Sequence, residues 1–326
     1  MDDTEEVYYW AGIKMHRSGD RNGFEFLVSD LDDPVETRIR FYGIALQLCM
    51  NSMIFAIFVR NFYRTMRMLI RSPHNLPSWC CAVQAGAGVI FGIIGLAFAL
   101  PTTSSCRAAV WFSNISLPIS NICVSVVLLQ KAWLAHKKDN RLLLIGALLI
   151  LPQPVTTYIV WALSPTMVVP HAGCVFHYPN YYPWLKFGID MPINLVLSVA
   201  FLVVVIRQHR VFGSDTWAYL SRDGMIYMFC VILSNFACAL IAAAKLANDF
   251  SDMFFLVDWV ITSTLLIRQH EGVRVALQQS TRPKTNFQRF DFGKSVGGGI
   301  DAIATAPDIV VTPEDPSQSG YSKMPR

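Results

Sequence analysis

The chain has 326 residues, 53% of them hydrophobic and only 15% charged, with a mean hydropathy of +0.39. A soluble domain carries about 25% charged residues, and here the charges are confined to short clusters between long apolar runs, which is a membrane pattern. The net charge of +4 belongs to those clusters and gives no ground for nucleic-acid binding.

Residues 1–37 carry an acidic excess and no apolar run, and read as a short, mostly irregular polar arm. Their start, MDDTEEVYYW, lacks the basic and apolar regions of a cleaved signal peptide, so insertion is expected to rest on the spans themselves. Span one covers about residues 40–59 and carries Asn51; Arg60, Arg64, Arg67 and Arg71 follow it with no acid among them. Span two, about 79–100, contains the small residues Ala82, Ala85, Gly86, Ala87 and Gly88, which permit close helix approach.

Span three opens at Cys106, and its run 108–130 is free of charge for 23 residues, enough for the roughly 20 that a crossing needs. Asn114, Ser116, Ser120, Asn121 and Ser125 interrupt it, with Pro118 in the middle. A lipid-facing helix gains nothing from such residues, so they are expected to point into a bundle. After a basic connection (Lys131, Lys137, Lys138, Arg141), span four covers about 142–163 and is expected to bend or break at Pro152 and Pro154. A loop of about 20 residues then holds Cys174, His177, Tyr178, Tyr181, Tyr182 and Trp184.

Span five, about 184–206, includes Asp190, Pro192 and Asn194, and is followed by Arg207, Arg210 and Arg222. Span six, about 224–247, carries Asn235 and Lys245; span seven, about 253–267, carries Asp258. The bundle thus occupies residues 38–268. Residues 269–280 have Val273, Ala276 and Leu277 at helical spacing opposite Arg274, an amphipathic juxtamembrane helix. Residues 281–326 are rich in Gly, Ser, Pro and Thr and read as a disordered tail.

The fold class expected is an all-α membrane protein with seven spans. Lys and Arg number four, four and three in the first, third and fifth connections and six over 268–294, against almost none on the other side. The positive-inside rule then puts the amino terminus outside and the tail in the cytoplasm. Of eight cysteines only Cys106 and Cys174 fall in outward segments, where disulfides persist, so these two can pair. The bridge would tie the aromatic loop across the mouth of the bundle.

Seven spans, an outside amino terminus, and a cysteine opening span three with another in the next outer loop resemble a G-protein-coupled receptor over residues 38–280. The rhodopsin-like signatures are missing: span three ends LLQKAW (128–133), and span seven, FFLVDWVITSTLLI (254–267), has no Asn-Pro-x-x-Tyr. Arg222-Asp223-Gly224, with Tyr227 three residues on, is similar to orphan seven-helix proteins of fungi. The resemblance implies a plasma-membrane receptor without cofactor that passes binding of an unknown extracellular ligand to a cytoplasmic partner, a heterotrimeric G protein in such receptors.

An ionisable side chain inside a span costs about 2.5–3.5 kcal/mol on insertion scales and is a functional candidate by default. Asp190, Lys245 and Asp258 all fall in the outer half, on spans adjacent in the expected ring. They suggest a polar outer pocket, Lys245 pairing with Asp258 or Asp190, with Trp111, Asn114 and Tyr181 lining it. On the inner face Arg64, Lys131, Arg207, Arg210 and Arg268 belong to a basic rim that suits anionic lipid and is placed to contact a signalling partner.

Enzymatic activity is not expected. The seven histidines scatter over loops on both faces, against a metal site, and no phosphate loop or nucleophile elbow occurs. Span seven lacks the lysine that a retinal Schiff base needs. The rival reading is a small-solute transporter: Pro152-Gln153 is similar to the PQ-loop and sugar-exporter families, although those repeat the motif in two related halves and this chain does not.

Overall fold

A computed structural model describes residues 7–10, 13–29, 33–135, 140–212, 215–246, 250–251 and 253–281. Among these, the chain forms nine α-helices and two small hairpins. The helices are α1 (Gly23–Val28), α2 (Pro34–Arg71), α3 (Leu76–Ala99), α4 (Cys106–Ala135), α5 (Asn140–Ile150), α6 (Gln153–Leu163), α7 (Tyr182–Phe212), α8 (Asp215–Ala243) and α9 (Met253–Thr281). The strands are β1 (Val7–Trp10) with β2 (Ile13–His16), and β3 (Thr166–Val169) with β4 (Gly173–Phe176), each pair antiparallel. Four helical stretches among the described residues are long and apolar enough to cross a membrane: α2, α3, the Cys106–Gln130 part of α4, and α5 with α6 taken as one.

The longest helix, α2, starts where the sequence directs it. Asp33 caps it through hydrogen bonds from the Val35 and Glu36 amides, and Pro34, already set to a helical φ, occupies the first turn. Its 38 residues extend about 57 Å, well beyond the roughly 30 Å of a hydrocarbon core. The Arg-rich segment after the expected span one is therefore a continuation of that helix. Along α2 lies α3, and the small-residue stretch is what lets them close up: a side chain at Gly88 would run into the Phe58 ring.

At the centre, α4 packs against α3, α5, α6, α7 and α9. Ser113, Asn114, Ser116, Ser120 and Ser125 are all buried, while Ile115 and Ile119 are exposed. The polar seam faces inward. The first and last long helices also meet: Phe58 and Trp259 stack with centroids 4.7 Å apart, and Asn61 Nδ2 donates to Thr264 Oγ1 at 3.0 Å. The order α2–α3–α4–α7–α8–α9 thus returns to α2, with α5 and α6 on the outside of α4 and α7. The expected break in the fourth helical stretch falls at Leu151–Pro152, between α5 and α6.

Three expectations are corrected. The amino-terminal arm is ordered over 13–29 rather than mostly irregular: after β2 come a 3-10 turn (Arg17–Asp20) and α1, which Asn22 and Glu25 open with a reciprocal capping box. Arg107, one residue past Cys106, donates to the Tyr8 hydroxyl at 2.7 Å and the His16 carbonyl at 3.0 Å and pairs with Asp20 at 2.5 Å. Arg40 lies 4.5 Å over the Phe26 ring and fastens α1 to α2. The aromatic loop holds the β3–β4 hairpin, whose turn needs Gly173 at φ +75°. Finally, 269–280 is not a separate juxtamembrane helix, because α9 runs unbroken through it to Thr281. Past Thr281 the tail lies outside the described residues.

Candidate functional site

The site is built around the β3–β4 hairpin. Cys106, the first residue of α4, and Cys174, on β4, are disulfide-bonded, with Cα atoms 5.4 Å apart. A second clasp comes from α2: Gln47 Nε2 donates to the Cys174 carbonyl at 3.2 Å, and Gln47 Oε1 accepts from the Cys174 amide at 2.8 Å. That side chain satisfies the free edge of β4 as a neighbouring strand would. The hairpin is held over the helix ends from two sides.

Beneath it lies a cavity with an empty volume of about 630 Å³, its mouth included. Side chains from α2, α3, α4, β4 and the start of α9 line it, with Phe91, Phe98, Phe176, Phe255 and Leu256 making much of the wall. Gln47, Asn51 and Ser113 are its polar members. None of the residues expected to form a pocket (Asp190, Lys245, Asp258, Trp111, Asn114, Tyr181) lines it.

The charges expected inside the membrane lie beside a row of aromatic rings. Rings run from Phe176 to Tyr178 (5.4 Å), to Tyr182 (5.3 Å) and on to Phe255 (6.5 Å). Behind them Asp190 of α7 accepts from three neighbours: Lys186 Nζ at 2.7 Å, Gln153 Nε2 at 2.8 Å and Asn121 Nδ2 at 3.3 Å. One carboxylate thereby ties α4, α6 and α7 together. Lys186 Nζ also lies 5.7 Å from the centre of the Phe255 ring, so this cluster and the cavity share one side chain as a wall. Asp258, half-buried on α9, accepts from Ser234 Oγ of α8 at 2.8 Å and lies near enough to Lys186 and Asp190 to feel both charges.

The expected pairing of Lys245 is corrected. Helix α8 ends at Ala243, and Lys245 lies beyond it, exposed, with φ at +49°. Its ammonium donates to Asn180 Oδ1 at 3.3 Å, and the cation that meets Asp190 is Lys186. An ammonium at a helix end stays hydrated, whereas Lys186, one turn before Asp190 on the same helix, is directed onto it.

The other expected residues disperse. Trp111 stacks on Trp161 at 5.6 Å, and Tyr181 is 52% exposed. Buried Asn114 donates to the Val110 carbonyl at 3.0 Å, while its own carbonyl accepts from Thr157 Oγ1 at 3.1 Å, a bond between α4 and α6. At the opposite end of the bundle Arg64 is 3.7 Å from Glu271 and Arg268 is exposed; the side chains of Lys131, Arg207 and Arg210 lie outside the described part. A smaller cavity there, of about 310 Å³, is lined by α4, α7, α8 and α9, including Tyr227 and Gln269.

Sequence reasoning passed over Lys186, Gln153 and Gln47 as site residues. For Lys186 the signal was present, a lysine four residues before an aspartate in a helical run. For Gln47 there was only a lone amide in an apolar stretch, and its partner is 127 positions away.

Comparison with known protein families found no matching family model, and comparison with curated proteins found no match.

Proposed function

We propose that this chain is a seven-helix receptor of the plasma membrane, with the hairpin end outside and the basic end in the cytoplasm. In this reading α2, α3, α4, the α5–α6 pair, α7, α8 and α9 all cross the bilayer. The observation that carries the proposal is the cavity under a hairpin fastened by both Cys106–Cys174 and Gln47. A fixed roof over a cavity among helix ends gives a small molecule a site whose occupancy bears on four helices at once. Such a ligand favours one packing of the bundle over another only by its differential affinity for the two. The smaller cavity by Tyr227, among the helices that end in the basic rim, suits a change of packing read by a cytoplasmic partner such as a G protein.

The test is nucleotide exchange on G-protein α subunits in membranes that hold the protein, with and without extracts of candidate ligands. Ligand-dependent exchange that is lost in Cys174→Ser supports the receptor reading; no exchange on any α subunit counts against it. One observation favours a transporter as second reading: the α5–α6 break sets Gln153 directly on the half-buried Asp190, a discontinuous helix beside a charge that this reading places inside the membrane. Solute uptake into sealed vesicles, abolished by Asp190→Asn, would move the assignment there.

A further inference from the structure

We infer that the cavity under the β3–β4 hairpin takes a small, neutral, largely apolar molecule with one hydroxyl group, which donates its hydrogen bond to Asn51 Oδ1. The inference rests on the receptor reading only in supposing that the cavity is a ligand site, and it specifies the ligand.

The polar groups of the lining decide the chemistry. Both amide heavy atoms of Gln47 are taken up by the backbone of Cys174. Ser113 Oγ donates to the Val110 carbonyl at 2.8 Å, so its proton is committed. Asn51 differs: it is 4% exposed, and its Oδ1 is buried without a hydrogen-bond partner among the described residues. A buried acceptor left unpaired is costly, and native interiors seldom leave one so. Gly95 packs directly against the amide, where even a Cβ would come within 2.9 Å of Asn51 Nδ2, so the space beside it depends on that glycine.

The walls exclude charge. Among the described residues no Asp, Glu, Lys, Arg or His lines the cavity, and Phe91, Phe98, Phe176 and Phe255 make much of its wall. A carboxylate, ammonium or phosphate entering would lose its hydration with no counter-charge to replace it. The nearby ammonium of Lys186 is occupied by Asp190 on the far side of Phe255. An apolar body with a single donor matches the one acceptor of the described lining that has no partner at all, in an aromatic box.

Three probes of one shape test this on the full-length protein in lipid nanodiscs, with empty nanodiscs as the partition control: 1-naphthol, 1-methoxynaphthalene and 1-naphthylmethylamine, a cation at pH 7. The expected result is saturable binding of 1-naphthol, binding of the methyl ether about 5- to 10-fold weaker for want of the donor, and no saturable binding of the amine. Asn51→Leu should bring naphthol down to the ether, and Ala109→Phe, which fills the cavity, should abolish both. Equal affinity of naphthol and its ether in the unmodified protein overturns the inference without relying on any variant. So does saturable binding of the amine, or none of the three. Organic extracts separate two sources of such a ligand. A co-purifying hydroxyl lipid that 1-naphthol displaces, and lipid-free protein that binds 1-naphthol, both support the class and point to the membrane and the aqueous phase respectively. Selective naphthol binding with solute uptake and no nucleotide exchange would sink the receptor reading and leave this ligand class standing.

Discussion

Replacing Lys186 with methionine removes the cation that meets Asp190 among the described residues and leaves the carboxylate with the amide donors of Gln153 and Asn121. The side chains of Lys186 and Asp190 are only 10% and 17% exposed, so water does little to compensate. Breaking a buried pair by removing one partner costs about 3–5 kcal/mol, and the two surviving hydrogen bonds argue for the lower end, about 3 kcal/mol. Asp190→Asn strands the ammonium instead and should cost a similar ~3 kcal/mol, softened by Asp258 nearby. Independent effects would sum to about 6 kcal/mol in the double variant. A neutral cluster has no stranded charge, so the double variant should cost only about 3 kcal/mol, a coupling of about 3 kcal/mol. Unfolding in mixed micelles, followed by tryptophan fluorescence, would read each single change as a drop of roughly 4–5 °C in Tm for a chain of 326 residues. Additivity of the singles to within about 0.5 kcal/mol would refute the idea that this pair holds α4, α6 and α7 together.

The Cys106–Cys174 bridge spans a sequence separation of 68, and chain-entropy arguments give such a loop about 4 kcal/mol. A reducing agent should therefore lower Tm in the unmodified protein and leave a Cys106→Ser/Cys174→Ser variant unaffected; equal sensitivity of the two would count against the bond. Gln47→Ala unpairs the amide and carbonyl of Cys174 at a cost of about 1–3 kcal/mol. Hydrogen exchange at the Cys174 amide should speed up by at least tenfold while exchange in α3 stays unchanged. Gly88→Val drives a side chain into the Phe58 ring and should destabilise by about 1–3 kcal/mol. The paired change Gly88→Val/Phe58→Ala should recover part of that loss in thermal unfolding, and no recovery would place the clash elsewhere.

Much of the helical frame was legible because it depends on local pattern. Ser116, Ser120 and Ser125 announced an inward seam on α4, and Cys106 and Cys174 could be paired from their place on one side of an alternating charge pattern. The break at Pro152 was equally local. What was not legible depends on contacts between distant segments. Asp190 could be flagged as costly, but its partners on α4 and α6 are 69 and 37 positions away, and no periodicity links them. Lys186 stands near the start of the apolar run, but α7 begins earlier, at Tyr182, so the side chain lies within the helix and reaches Asp190 one turn on. Lys245 differs for the converse reason: α8 ends at Ala243, so a residue expected inside the sixth span lies beyond the end of its helix. The cavity had no sequence signature, since its lining comes from five elements and is mostly phenylalanine and aliphatic residues, as any core would be.

If the cavity controls the state of the bundle, its occupancy must reach helices that do not line it. The route offered is the row of rings from Phe176 through Tyr178 and Tyr182 to Phe255, with Lys186 resting on the last. A molecule pressing on Phe176 and Phe255 from one side acts on the Lys186–Asp190 cluster from the other, and that cluster joins three helices. Packed interiors respond to such a push by switching between arrangements rather than by bending. Tyr182 stands inside the row without lining the cavity, so it separates transmission from binding. Tyr182→Leu should leave the affinity for 1-naphthol within about twofold, since no cavity contact is lost, yet reduce any probe-dependent nucleotide exchange by fivefold or more. A fivefold loss of response corresponds to about 1 kcal/mol of coupling, within the range of allosteric effects. Titrating binding and exchange on the same nanodisc preparation checks this. A response that survives in full would show that the signal does not pass through the rings, and a parallel loss of affinity would make Tyr182 part of the binding site.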